Sequence, residues 1–113
     1  MSHTSKRIAA LNDALRKSPL DRTLGRLYMT DGVNAHGSTF VARAIATMTA
    51  FNDFNADNDP YHEHDFGAFE IDGIRLFFKI DYFDKRDPDL GAEDPSDPAT
   101  TDRALTLLLA EEY

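Results

Sequence analysis

The sequence contains no cysteine among its 113 residues. This absence excludes a disulfide framework, a thiolate metal site and a cysteine nucleophile, and nothing indicates an oxidising compartment. Long hydrophobic runs are missing too, because the run at residues 107–110 is far shorter than the roughly 20 apolar residues that a membrane helix needs. Residues 1–7 lead into a broken apolar pattern rather than the continuous core of a signal peptide, so we expect no export signal. The default expectation is therefore a cytoplasmic protein without membrane association.

Basic residues are also scarce, since 12 lysines and arginines stand against 20 aspartates and glutamates, for a formal net charge of −8. Such a charge repels nucleic-acid backbones and anionic membranes but suits a basic protein partner. We therefore expect no direct binding to nucleic acid. The chain length and the ordinary share of hydrophobic residues, 42%, predict a single globular domain over residues 1–113. They leave the oligomeric state open.

Two segments carry apolar residues at the spacing of an amphipathic helix. In the first, which Pro19 ends, the apolar positions are Ile8, Leu11 and Leu15. In the second, which Ser38 or Thr39 can cap, they are Val41, Ala44, Ile45, Met48 and Phe51. Both predicted helices fall in the N-terminal half of the chain.

The dipeptide Asp72-Gly73 lies between two runs rich in Phe and Ile, and such a two-residue connection is the strongest local signal for a β-hairpin. We predict strands over residues 65–71 and 74–82. The turn fixes the register, so that residues whose numbers sum to 145 lie opposite one another. The face that we expect in the core consists of Phe69, Ile71, Ile74, Leu76, Phe78, Ile80 and Tyr82.

The other segments complete an α+β fold. Residues 24–30 carry Leu27, Tyr28 and Met29 before the turn signal Asp31-Gly32, which predicts a short third strand. Residues 84–98 are rich in Asp and Pro and predict an irregular connection. Residues 103–110 form a mainly apolar run, so they are either a buried strand or a helix, and the preceding connection favours a strand. We predict an antiparallel sheet of three to four strands with the two helices on one face.

The predicted register places His64 opposite Asp81, on the less apolar face of the hairpin that also carries Lys79. A carboxylate that orients an imidazole raises its basicity, as general acid/base catalysis requires. The alternative interpretation is an ordinary cross-strand hydrogen bond beside a solvated lysine. No serine or threonine stands beside this group as a nucleophile.

Residues 62–65, His-Glu-His-Asp, form a dense cluster of potential metal ligands. Four consecutive side chains alternate in direction along a strand, so at most two of them can share an ion. His62 and His64 would face the same side, with Asp81 as a third ligand. The group has no evident supporting residues, so we expect no bound transition metal.

The preceding loop has the alternating oxygen ligands of a calcium-binding loop, namely Asp53, Asn55, Asp57 and Asp59. The match fails further on, because Pro60 stands at position eight and His64 stands at position twelve, where a bidentate Glu is needed. We therefore expect no calcium and no cofactor.

The sequence contains a series of short motifs, namely Asn58-Asp59-Pro60-Tyr61, Glu63-His64-Asp65-Phe66-Gly67, Lys79-Ile80-Asp81-Tyr82-Phe83-Asp84, Leu105-Thr106 and residues 109–113. Together these motifs resemble the bacterial family known as domain of unknown function 3768. The resemblance extends from about residue 6 to the C-terminus, with Phe78 and Phe83 where the family leads us to expect Trp and Tyr. The family is associated mainly with alphaproteobacteria and has no assigned activity. The resemblance therefore implies the domain boundaries and draws attention to the surroundings of His64, Asp65, Lys79 and Asp81.

Two functional hypotheses follow. The first is a small acidic interaction or regulatory module that binds a basic protein partner, with an inhibitor that mimics nucleic acid as a special case. Its binding residues would be Asp57, Asp59, Glu63 and Asp65. The second is a small hydrolase or lyase in which His64 is the general acid/base, Asp81 orients it and Lys79 stabilises charge. A concave pocket around these three side chains would favour the enzyme, and a flat sheet face would favour binding.

Overall fold

The computed structural model describes residues 3–113. The helices and strands in this range confirm the α+β class. In chain order they are α1 (His3–Lys17), β1 (Arg26–Met29), α2 (Asp31–Asn34), α3 (Ser38–Ala50), β2 (Phe66–Ile71), β3 (Ile74–Asp84), β4 (Thr101–Leu109) and a terminal 3-10 helix (Ala110–Glu112). No helix of the described range combines the length and the apolar character that crossing a membrane requires.

The four strands form one sheet in the order β1-β4-β3-β2. The pairs β2–β3 and β3–β4 are antiparallel, whereas β1 runs parallel to β4. The sheet is therefore mixed rather than antiparallel throughout. A parallel neighbour requires a long crossover connection, and here the whole chain between β1 and β4 provides it.

The β2–β3 hairpin has the predicted register, with Ile71 opposite Ile74 and Glu70 opposite Arg75. Asp72 and Gly73 both have a positive φ, 51° and 79°, as the tight hairpin turn with a right-handed strand twist requires. The Asp72-Gly73 turn and the hairpin register that it sets are thus confirmed.

The core lies between the sheet and the helices on one of its faces. Phe78 and Leu76 of the hairpin are fully buried, as are Leu105 and Leu107 of β4. The helices cover this face with Leu15, Val33, Phe40, Ala44 and Met48. The predicted core face and its helical cover are therefore confirmed.

Residues 103–109 lie in strand β4 (Thr101–Leu109), and only Ala110 falls outside it, at the start of the 3-10 helix. Leu and Ala favour a helix by propensity, but β4 is a central strand between β1 and β3, and burial on the core face overrides the local preference. The strand prediction is confirmed.

Two local predictions are wrong. Neither Ser38 nor Thr39 caps α3, because the N-cap is Gly37, which has a φ of 93° and makes no side-chain capping bond. The Asp31-Gly32 signal does not make a simple turn but begins the short helix α2, where the Thr30 side chain accepts a hydrogen bond from the backbone N–H of Val33. In both cases the sequence indicated correctly where the chain changes direction, but not which local backbone geometry makes the change.

Candidate functional site

His64 does not face Asp81. Its Nδ1 lies 3.0 Å from an Asp13 carboxylate oxygen on α1, and its backbone has a left-handed φ of 57°. The pairing with β3 begins only one residue later, where the carbonyl of Asp65 accepts a hydrogen bond from Ile80. The predicted His64–Asp81 pair is therefore wrong, because the left-handed residue interrupts the alternation of side chains on which the prediction depended.

The half-buried imidazole of His64 is held on three sides. Its ring stacks on Phe54 with centroids 4.0 Å apart, and its Nε2 lies 3.7 Å from an Asp59 oxygen. Asp59 is only 3% exposed, and its other oxygen accepts hydrogen bonds from the backbone N–H groups of Glu63 and His64. Asp59 therefore organises the loop from within, while Asp13 and Phe54 fix the histidine ring.

Lys79 and Asp81 do lie together, with Nζ 2.9 Å from a carboxylate oxygen, on the face of the sheet that the helices leave open. Asp81 borders a cavity of about 570 Å³ on that face, beside Tyr28 and Phe83. His64 does not border this cavity. Of the three predicted catalytic side chains the fold therefore unites two, and their catalytic roles stay predictions.

Asn12 is the centre of a buried polar network that the sequence analysis missed. Its amide nitrogen donates to the carbonyl of Glu63 (2.9 Å) and to the hydroxyl of Tyr82 (2.8 Å), and its amide oxygen accepts from Nε of Arg103 (2.8 Å). Tyr82 in turn donates to the Glu63 carboxylate at 2.9 Å. The available signal was the position of Asn12, four residues after Ile8 on the apolar side of helix α1.

Burial perturbs the titratable members of this network. It raises the pKa of Tyr82, and the hydrogen bond and charge of Glu63 raise it further, so the phenol stays protonated as a donor. Burial also lowers the pKa of Arg103, although this cation is far from losing its proton. Arg103 additionally donates to the carbonyl of Pro95. The network thus joins the loop that contains Glu63 to the loop that contains Pro95.

These two loops are acid-rich and leave the sheet at the same end, because one precedes β2 and the other follows the antiparallel β3. We call residues 51–65 and 85–100 the acidic loops. Each holds five of the chain's 20 acidic residues, whereas their only basic residues are Lys85 and Arg86. Of the four predicted binding carboxylates, Asp57 is exposed, Glu63 and Asp65 are half-buried and Asp59 is buried.

The carboxylates around Asp65 repel one another. Burial raises the pKa of Asp65 first, and the charges of Glu63, Asp59 and Asp81 raise it further. A carboxyl group whose pKa is higher in the folded than in the unfolded protein destabilises the fold while it is ionised.

Replacing Asp65 by Asn is therefore expected to raise the melting temperature at pH 7. The gain should shrink as the pH falls through the folded-state pKa of Asp65, because the wild-type carboxyl then becomes neutral too. Thermal unfolding of both proteins between pH 4 and about pH 7 measures this. The exposed Glu93→Gln is the control, and a lower melting temperature for Asp65→Asn at pH 7 would contradict the assignment.

His62, His64 and Asp81, the potential metal ligands, do not lie together. His62 also has a left-handed φ, 59°, and its side chain is exposed, while His64 is engaged by Asp13. Across residues 3–113 no three His, Asp or Glu side chains are gathered so as to hold an ion. In the calcium-like stretch, Asn55 and Asn58 use their side chains to bond the loop's own backbone.

A comparison with family models matches residues 29–112. This match confirms the family that the motifs indicated, although it begins within β1 rather than near residue 6. Comparisons with the curated proteins and with the solved structures gave no match. Because the matched residues make up most of the chain, it belongs to the family described as "Protein of unknown function (DUF3768)".

Proposed function

We propose that this protein is an acidic interaction module and that a basic protein partner binds the acidic loops. The observation that supports the proposal most directly is the hydrogen-bonded chain from Glu63 through Asn12 and Arg103 to Pro95, which ties the two loops together. Loops fixed in this way present their carboxylates to a partner at a small cost in ordering entropy.

The surface carboxylates of these loops give the proposed interface its charge. Those whose side chains are exposed are Asp53, Asp57, Asp87, Asp89, Glu93 and Asp94. A basic surface that approaches these carboxylates relieves their mutual repulsion. The opposite charges of the two proteins would therefore speed association and favour basic partners over acidic ones. A partner that normally binds nucleic acid would be inhibited, because the carboxylates would compete with phosphates for its basic surface.

A charge-reversal experiment tests this proposal. Partners recovered on the full chain at low salt are purified and titrated with the variant Asp57→Lys/Glu93→Lys, which changes one exposed residue in each acidic loop. We expect binding at least about tenfold weaker than that of the wild type, and lower wild-type affinity at higher salt.

The matched control is Glu70→Lys/Glu111→Lys, which makes the same change in charge at exposed positions on the opposite end of the sheet. It should retain most of the affinity. Equal losses for the two variants would show that net charge alone, and not the acidic loops, determines binding. A partner whose affinity is insensitive to salt would also contradict the proposal.

A further inference from the structure

A cleft of opposite charge lies beside β1, at the end of the sheet where the acidic loops leave it. Its volume is about 410 Å³, within the range of small-ligand pockets. Its charged lining residues are the basic Arg22, Arg26, Lys85 and Arg103 and the acidic Asp102. A chain with far more acidic than basic residues thus concentrates positive charge at one concave site.

Arg103 is the buried member of this group, only 3% exposed. Its hydrogen-bond partners, the Asn12 side-chain oxygen and the Pro95 carbonyl, are both neutral. Within residues 3–113 it forms no ion pair with a carboxylate. The charge of Glu63 and the ring of Tyr82, 5.2 Å from the guanidinium, stabilise this cation from inside the fold, so Arg103 adds a fixed positive charge to the wall of the cleft.

The other three cations of the cleft have no carboxylate partner among the described residues. Arg22 and Arg26 are exposed, and neither forms an ion pair with any carboxylate of residues 3–113. The Lys85 ammonium donates to the carbonyl of Pro98 at 3.2 Å. By contrast, Arg43 at the other end of the sheet has its carboxylate partner at 2.7 Å.

We propose that this cleft binds the phosphate group of a small phosphate monoester. Guanidinium groups match phosphate oxygens with paired hydrogen bonds, and an ammonium adds a further charge. Leu24 on the cleft wall suits a small organic part, and Asp102 can accept hydrogen bonds from its hydroxyl groups. A long polyanion would meet the acidic loops, so the size and the surroundings of the cleft select a small ligand.

Titration of the full chain followed by amide NMR tests the proposal, with glycerol 3-phosphate, inorganic phosphate, glycerol and potassium chloride as probes. We expect saturable shifts around the cleft with a Kd of about 1 mM or tighter for the phosphates. Tighter binding of the ester would support an organic phosphate as ligand, and equal binding would support phosphate itself as the recognised group. Glycerol should have no effect.

The variant Arg22→Gln/Arg26→Gln changes only exposed side chains, and it should weaken phosphate binding at least about tenfold. Arg75→Gln, exposed at the hairpin end of the sheet, should bind as the wild type does. Shifts that do not saturate, that potassium chloride reproduces at equal ionic strength, or that both variants reduce equally would overturn the proposal.

Discussion

Truncation of Phe78 to Ala is expected to lower the free energy of unfolding by about 3–5 kcal/mol. This side chain is fully buried at the centre of the core. Phe51 packs against its ring edge to face at a centroid distance of 5.2 Å, and the Arg16 guanidinium lies 5.7 Å above it. Gly67 on β2 gives the ring its space, since a Cβ there would come within 2.2 Å of a Phe78 ring carbon. Denaturant unfolding of the two proteins measures the loss.

Phe77→Ala is the matched control, because Phe77 is the neighbouring phenylalanine on the open face of the sheet. It is half-buried and contacts the exposed Tyr113 at a ring distance of 5.5 Å. We expect its truncation to cost less than about 2 kcal/mol, as partial burial implies. A loss for Phe77→Ala that equals the loss for Phe78→Ala would show that the core lies on the other face.

Asn12→Ala should have the second large effect, a loss of about 2–4 kcal/mol. Asn12 is fully buried, and its removal would leave the Glu63 carbonyl and Nε of Arg103 without their hydrogen-bond partners. An unsatisfied buried group costs more than an average hydrogen bond contributes, and here one of the two belongs to a cation. The same unfolding measurement applies.

Tyr82→Phe provides the graded comparison within the network. It removes one hydroxyl, which accepts from Asn12 and donates to Glu63, but keeps the aromatic ring in the core. Its expected cost is about 1–2 kcal/mol. If Asn12→Ala proved as mild as Tyr82→Phe or milder, Asn12 would not be the residue that joins the two loops.

The sequence alone determined the parts of the fold that depend on neighbouring residues. The Asp72-Gly73 turn needs only its own backbone conformation, and from it the hairpin register and the buried position of Phe78 follow by alternation. The two long helices follow in the same way from the spacing of their apolar residues, and so does their packing on that face.

Tertiary structure decided the features that depend on contacts between distant segments. The sequence does not predict that β1 pairs in parallel with β4, because no local signal encodes the order of strands in a sheet. His64 bonds to Asp13, a residue 51 positions earlier in the chain, instead of the expected Asp81. Asn12, one polar residue on an apolar helix face, became the centre of a network because three distant groups converge on it. Periodic patterns report which face of an element is buried, whereas the partner of a polar side chain depends on how whole elements pack.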